Sequence, residues 1–83
     1  MILISPIKTE KAINKIEYEN TLTFEVQKDS TKKQISDEFE KLFSVKVLNV
    51  KTLITPDGKK HAHIRLSKEY KADDVATKLK MIA

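Results

Sequence analysis

The spacing of hydrophobic positions along this chain changes repeatedly, and each change marks an element. Ile2 to Ile4 is a short apolar run closed by Ser5-Pro6, which predicts a short strand. From Thr9 onward, Ala12, Ile13 and Ile16 fall on one stripe at helical spacing. Thr9 is placed to act as N-cap, and Glu10 sits favourably at the positive end of the helix dipole. The period then becomes two: Leu22, Phe24 and Val26 alternate with polar residues, as in a strand with one face in a core.

Thr31-Lys32-Lys33-Gln34 has the spacing of a capping box and opens a second helix. Ile35, Phe39, Leu42 and Phe43 follow on one apolar stripe. Ser36, Asp37, Glu38, Glu40 and Lys41 take the opposite side, which reads as solvated. Glu38→Lys is accordingly expected to change stability by no more than about 0.5 kcal/mol. Val45 to Ile54 is β-branched and long enough for a central strand. Its apolar phase switches between Val45/Val47 and Leu48/Val50/Ile54, which predicts a bulge or an edge buried on both faces. Pro56-Asp57-Gly58 forms a turn. The chain returns through His61 to Leu66 with Ala62, Ile64 and Leu66 inward, and with Lys59, His61, His63 and Arg65 on the other side. A last helix from about Ala72 buries Val75, Ala76, Leu79 and Ile82 and carries Asp73 and Asp74 in its first turn. The order β-α-β-α-β-β-α predicts one α+β domain spanning residues 1–83, a mostly antiparallel four-stranded sheet with helices packed on its faces.

Composition narrows the function. At 83 residues, 40% hydrophobic and 34% charged, the chain is too apolar for disorder. No apolar run reaches the roughly 18 residues of a membrane span. Ser5-Pro6 interrupts the Met1–Ile4 run before a signal peptide could develop. There is no cysteine, so no disulfide or thiolate site exists, and the expected setting is intracellular. The net charge of +4 is unevenly spread. Between residues 17 and 40, seven acids face three lysines, whereas between 41 and 65 five lysines and Arg65 face Asp57 alone. Such a division suggests one surface for a polyanion and another for solvent or a second partner. A solvated lysine-rich surface that discourages aggregation is the plainer alternative.

Candidate chemistry is sparse. The chain lacks a glycine-rich phosphate loop, a cysteine nucleophile and a usable Ser/His/Asp order. Glu17 and Glu19 have no histidine or pocket signal beside them, and enzymatic readings find no support. His61 and His63 alternate onto one strand face, but zinc needs three or four ligands, and Lys59, Lys60 and Arg65 surround the pair with cations. Two imidazoles in a cationic strand suit polar or stacking contacts to a polyanion better. Lys46, Lys51, Lys59, Lys60 and Arg65 occupy or flank two strands that a short turn brings together, an arrangement suited to phosphates. Phe24, Phe39 and Phe43 read as core, so the stacking platform of a single-strand RNA reader is missing. Recognition of folded RNA by shape and backbone fits better.

The chain also resembles the large-subunit ribosomal protein twenty-three family. Ser5-Pro6-Ile7-Lys8-Thr9-Glu10-Lys11-Ala12 is similar to that family's opening motif. Thr31 to Ile35 and Lys41 to Val47 resemble its central helix and following strand, Val50-Lys51-Thr52 its Val-Asn-Thr, and Ala62 to Leu66 its last strand. The resemblance runs over essentially the whole chain, with lysine at 51 in place of asparagine and His63 where tyrosine is common. It implies binding to large-subunit ribosomal RNA near the polypeptide exit tunnel, in cytoplasmic ribosomes, with no cofactor, metal or membrane insertion. It further implies a neighbouring ribosomal protein of the twenty-nine family, and a docking role for Glu10 toward a signal-recognition-type targeting factor or chaperone. Only Thr55 to Gly58 joins the hairpin strands, which resembles the archaeal and eukaryotic branch and implies no extension into the tunnel. The expected RNA-contacting residues are Lys8, Thr9, Lys11, Lys15, Lys46, Lys51, Thr52, Lys59, Lys60, His61, His63 and Arg65. A free-standing protein-interaction or ligand-binding domain of the same architecture is the alternative.

Overall fold

The strands pair in the order β1-β2-β4-β3, every neighbour antiparallel. The structure, a computed structural model, describes residues 2–82, with side chains described to residue 78. Along the chain the elements are β1 (Leu3–Pro6), α1 (Glu10–Glu19), β2 (Thr21–Val26), α2 (Lys32–Phe43), β3 (Val47–Ile54), β4 (Lys60–Leu66) and α3 (Ala72–Ile82). The α+β order expected from the pattern is the order observed.

The core forms on one sheet face. Leu22, Phe24 and Val26 of β2 lie beside Ile64 and Ala62 of β4 and Val50 of β3, and all are buried. α2 covers them with Ile35 and Phe39, both fully buried. The Phe24 and Phe39 rings meet edge-on with centroids 5.6 Å apart, and Phe43 stands 4.6 Å from Phe39. α3 adds Ala72 and Val75. The expected burial of Leu79 and Ile82 lies outside the described side chains. α1 runs beside the first half of β2, where β1 does not reach, and buries Ala12.

The capping chemistry is present as expected. Thr9 Oγ1 accepts from Ala12 N at 3.3 Å, and Thr31 and Gln34 form a reciprocal capping box. Gly58 supplies the positive φ of the β3–β4 turn, at 82°. There the Thr55 hydroxyl bonds the Asp57 carboxylate, and this bond holds the Asp57 pKa below the usual range.

Several expectations are corrected. β3 is an edge strand rather than a central one, and it begins at Val47, leaving Val45 outside. Of the two readings of its phase switch, the bulge is the one observed: Val47 pairs with Leu66 and Asn49 with Arg65, so Leu48 is the extra residue and is exposed. Leu42 and Ile13 are about half exposed, because each lies at the margin of a helix stripe wider than the surface it covers. Glu38 and Glu40 are half-buried and bonded to backbone rather than free on a solvated face. Glu38 Oε2 accepts from Ile2 N at 3.1 Å and Leu3 N at 2.9 Å, tying α2 to the start of β1. Glu40 Oε2 accepts from Val47 N at 2.9 Å and ties α2 to the start of β3. Helical periodicity places both carboxylates outward, but strand ends passing close to α2 offer unpaired N–H groups that they satisfy.

Candidate nucleic-acid interface

Strand alternation puts every second residue of β2, β4 and β3 on the face that α2 leaves open. Register arranges them in three rows. Thr21, Arg65 and Asn49 form one, Thr23, His63 and Lys51 the next, and Glu25, His61 and Leu53 the third. α1 closes one side of this face. Lys15 and Glu19 line a depression of about 90 Å³ together with Lys51, His63 and Arg65. Thr9, Lys11 and Lys15 line a second hollow of about 310 Å³ with His61 and His63. Lys15 and Glu19 also pair along the helix at 3.5 Å, an exposed contact of little energetic weight.

His63 occupies the centre. Its Nδ1 lies 3.0 Å from Thr23 Oγ1, a hydrogen bond whose donor is set by the imidazole tautomer. Partial burial pushes its pKa down, and the Lys15 charge, His61 and Lys51 push the same way while Glu19 opposes them. At neutral pH His63 is therefore an uncharged hydrogen-bonding and stacking surface, and Lys15, Lys51 and Arg65 carry the positive charge.

The structure brings Thr9, Lys11, Lys15, Lys51, His61, His63 and Arg65 onto one surface and separates the other candidates from it. Thr52 alternates onto the helix-covered face, opposite Ala62, and is half-buried. Lys60 points the same way. Its ammonium donates to Ser30 O at 2.8 Å and Lys28 O at 3.3 Å, fastening the hairpin base to the β2–α2 loop. Lys59 is exposed in the turn, Lys46 in the α2–β3 connection and Lys8 ahead of α1. Glu10 is exposed in the first turn of α1. Asn49 was not among the sequence candidates. Its signal was its parity with Lys51, which the bulge at Leu48 obscured.

Among the described residues, no group of three or more metal-ligating side chains is close enough to hold an ion. No described helix is long and apolar enough to cross a membrane.

Fold and surface together define a small α+β protein with a cationic, helix-free sheet face. The chain belongs to the ribosomal protein L23 family, whose family description matches residues 1–80 and denotes ribosomal structural components rather than enzymes. It is similar to the large ribosomal subunit protein uL23 of Methanothermobacter thermautotrophicus, with 47% identity over 94% of this chain and 91% of that one. The uL23 of Pyrobaculum aerophilum is 49% identical over 88% of this chain and 90% of its own length. The uL23 of Dictyostelium discoideum is 48% identical over 98% of this chain, which spans about half of that longer protein (48%).

Proposed function

We propose that this chain is a structural component of the large ribosomal subunit that binds large-subunit ribosomal RNA near the polypeptide exit tunnel. The observation carrying this reading is the convergence of Lys11, Lys15, Lys51 and Arg65, from three separate elements, on one face with His61, His63 and Asn49. Lysine and arginine supply the phosphate contacts, while the imidazoles and the amide offer hydrogen bonds to sugar and base edges. Names shared by relatives in archaea and eukaryotes support the ribosomal setting. Lys8, Lys46 and Lys59 extend the footprint around the rim. Lys60 serves the fold first, through its two carbonyl partners.

The test is binding to large-subunit ribosomal RNA across a salt series. Lys51→Gln combined with Arg65→Gln is expected to flatten the slope of log affinity against log salt by about one to two units. Lys32→Gln with Lys33→Gln, on the exposed start of α2, is expected to leave it unchanged. Flattening by the α2 pair alone would place the RNA on the helix side instead, and equal flattening by both would remove the open face as the specific site.

The same reading includes the ribosomal protein of the twenty-nine family as neighbour, a cytoplasmic ribosome as location, and a hairpin too short to enter the tunnel. It assigns Glu10 to a signal-recognition-type targeting factor or chaperone. An exposed carboxylate on a mostly cationic particle orients a basic partner. Glu10→Ala is expected to assemble into ribosomes normally and to weaken binding of the purified factor. The difference should be largest at low salt, and equal affinity there would leave Glu10 only its place in the first helical turn.

A further inference from the structure

We propose that the free edge of β3 is a docking site for an extended segment of an acidic protein partner, which adds to the sheet as a fifth strand. The two sheet edges are built very differently. β1 is four residues long, ends in Pro6, pairs irregularly with β2, and has its first N–H groups occupied by Glu38. Those are the devices by which proteins close an edge to further pairing. β3 has eight residues, contains no proline and lies at the outer edge of the sheet, and its one irregularity, the bulge at Leu48, is confined to its start, leaving Asn49 to Ile54 in regular register.

The turn sets which backbone groups are free. Thr55 N donates to Lys59 O at 2.8 Å and Gly58 N to Thr55 O at 3.0 Å. Alternation from this closure makes Leu53, Lys51 and Asn49 the residues bonded to β4. The N–H and C=O groups of Val50, Thr52 and Ile54 then point outward, and no other described residue bonds their N–H groups. Beside this row stand Leu48, Leu53 and Ile54, which are 63%, 44% and 64% exposed.

A row of alternating donors and acceptors flanked by aliphatic side chains matches a polypeptide strand. Nucleic acid phosphates only accept hydrogen bonds and gain nothing from leucine and isoleucine. The charge of the edge selects among polypeptides. Between Glu40 and Asp57 the chain has no carboxylate, Lys51 lies within the strand, and Lys46 and Lys59 flank it. A second copy pairing antiparallel here would set like ammonium groups against each other, whereas a segment alternating acidic and apolar residues is complementary. The outward backbone groups of the edge are distinct from the open face, whereas Lys46, Lys51 and Lys59 are shared with the proposed RNA footprint, so protection of the edge amides, and not the charge response, separates the two readings.

The experiment uses the full chain, isotopically labelled for amide NMR, and a peptide as long as β3 that alternates valine with glutamate. Binding is expected to slow hydrogen exchange at Val50, Thr52 and Ile54 and to leave Lys51 and Leu53 unchanged. Thr52→Pro removes one outward N–H without touching the β4 ladder and is expected to weaken binding about tenfold, as the loss of one hydrogen bond does. Ile54→Glu alters only an exposed side chain, removing an aliphatic contact and setting a carboxylate against the acidic peptide, and is expected to weaken binding as well, which keeps the test valid if the proline variant fails to fold. Equal binding of a valine–lysine peptide, or protection outside β3, would overturn the proposal. So would protection of the same amides by dimerisation without peptide.

Discussion

Asn20→Ala is expected to destabilise the fold by about 2–4 kcal/mol, since one side chain there joins three elements. Asn20 ends α1 in the left-handed region, with φ 53° and its N–H donating to Lys15 O. Its Nδ2 donates to Tyr70 O at 2.9 Å and approaches Leu66 O and Ser67 O at 3.3 and 3.4 Å. Its Oδ1 accepts from Ala72 N at 2.7 Å, capping α3 from a position 52 residues away. Lys71, which precedes α3, has no side-chain acceptor for that N–H. Alanine would keep the strained backbone and lose every side-chain bond. Thermal unfolding checks this, at about 4–8 °C of melting temperature per kcal/mol for a domain of this size. Asn20→Gly separates the causes: it relieves the backbone and still loses the bonds. A glycine variant as stable as the parent would show that the backbone conformation alone matters.

Glu38→Ala is expected to cost about 1.5–3 kcal/mol, far above the figure for an ordinary surface change. Two N–H groups at the start of β1 lose a charged acceptor, and alanine offers no replacement. Glu38→Lys is expected to be at least as harmful, because it sets a third donor against two. The loss should be local as well as global, so exchange at Leu3 should accelerate more than exchange at Ile64 in the sheet centre. Denaturant unfolding combined with amide exchange measures both. A Glu38→Lys variant within about 0.5 kcal/mol of the parent would restore the solvated-face reading of α2.

The candidate site was partly legible before folding. Lys51, His61, His63 and Arg65 share parity within two strands, and the Pro-Asp-Gly turn shows that those strands are adjacent. Lys15 could not be aligned with them from sequence, because its place depends on α1 lying beside the half of β2 that β1 leaves uncovered. Lys60 reads as one more free cation, yet its parity turns it from the open face to the carbonyls of residues 28 and 30.

Sequence alone determined the order of elements, the buried face of β2 and β4, and the helix caps at Thr9 and Thr31. Each of these depends on side-chain period or on contacts a few residues apart. Only the tertiary structure decided that Glu38, Glu40 and Asn20 serve the fold, that β3 lies at an edge, and that Lys15 meets Lys51 and Arg65. The reason is that unpaired backbone groups at strand and helix ends take whatever polar side chain the packing brings near. For Glu38 and Asn20 those partners lie 35 to 52 residues away, beyond the reach of any local pattern.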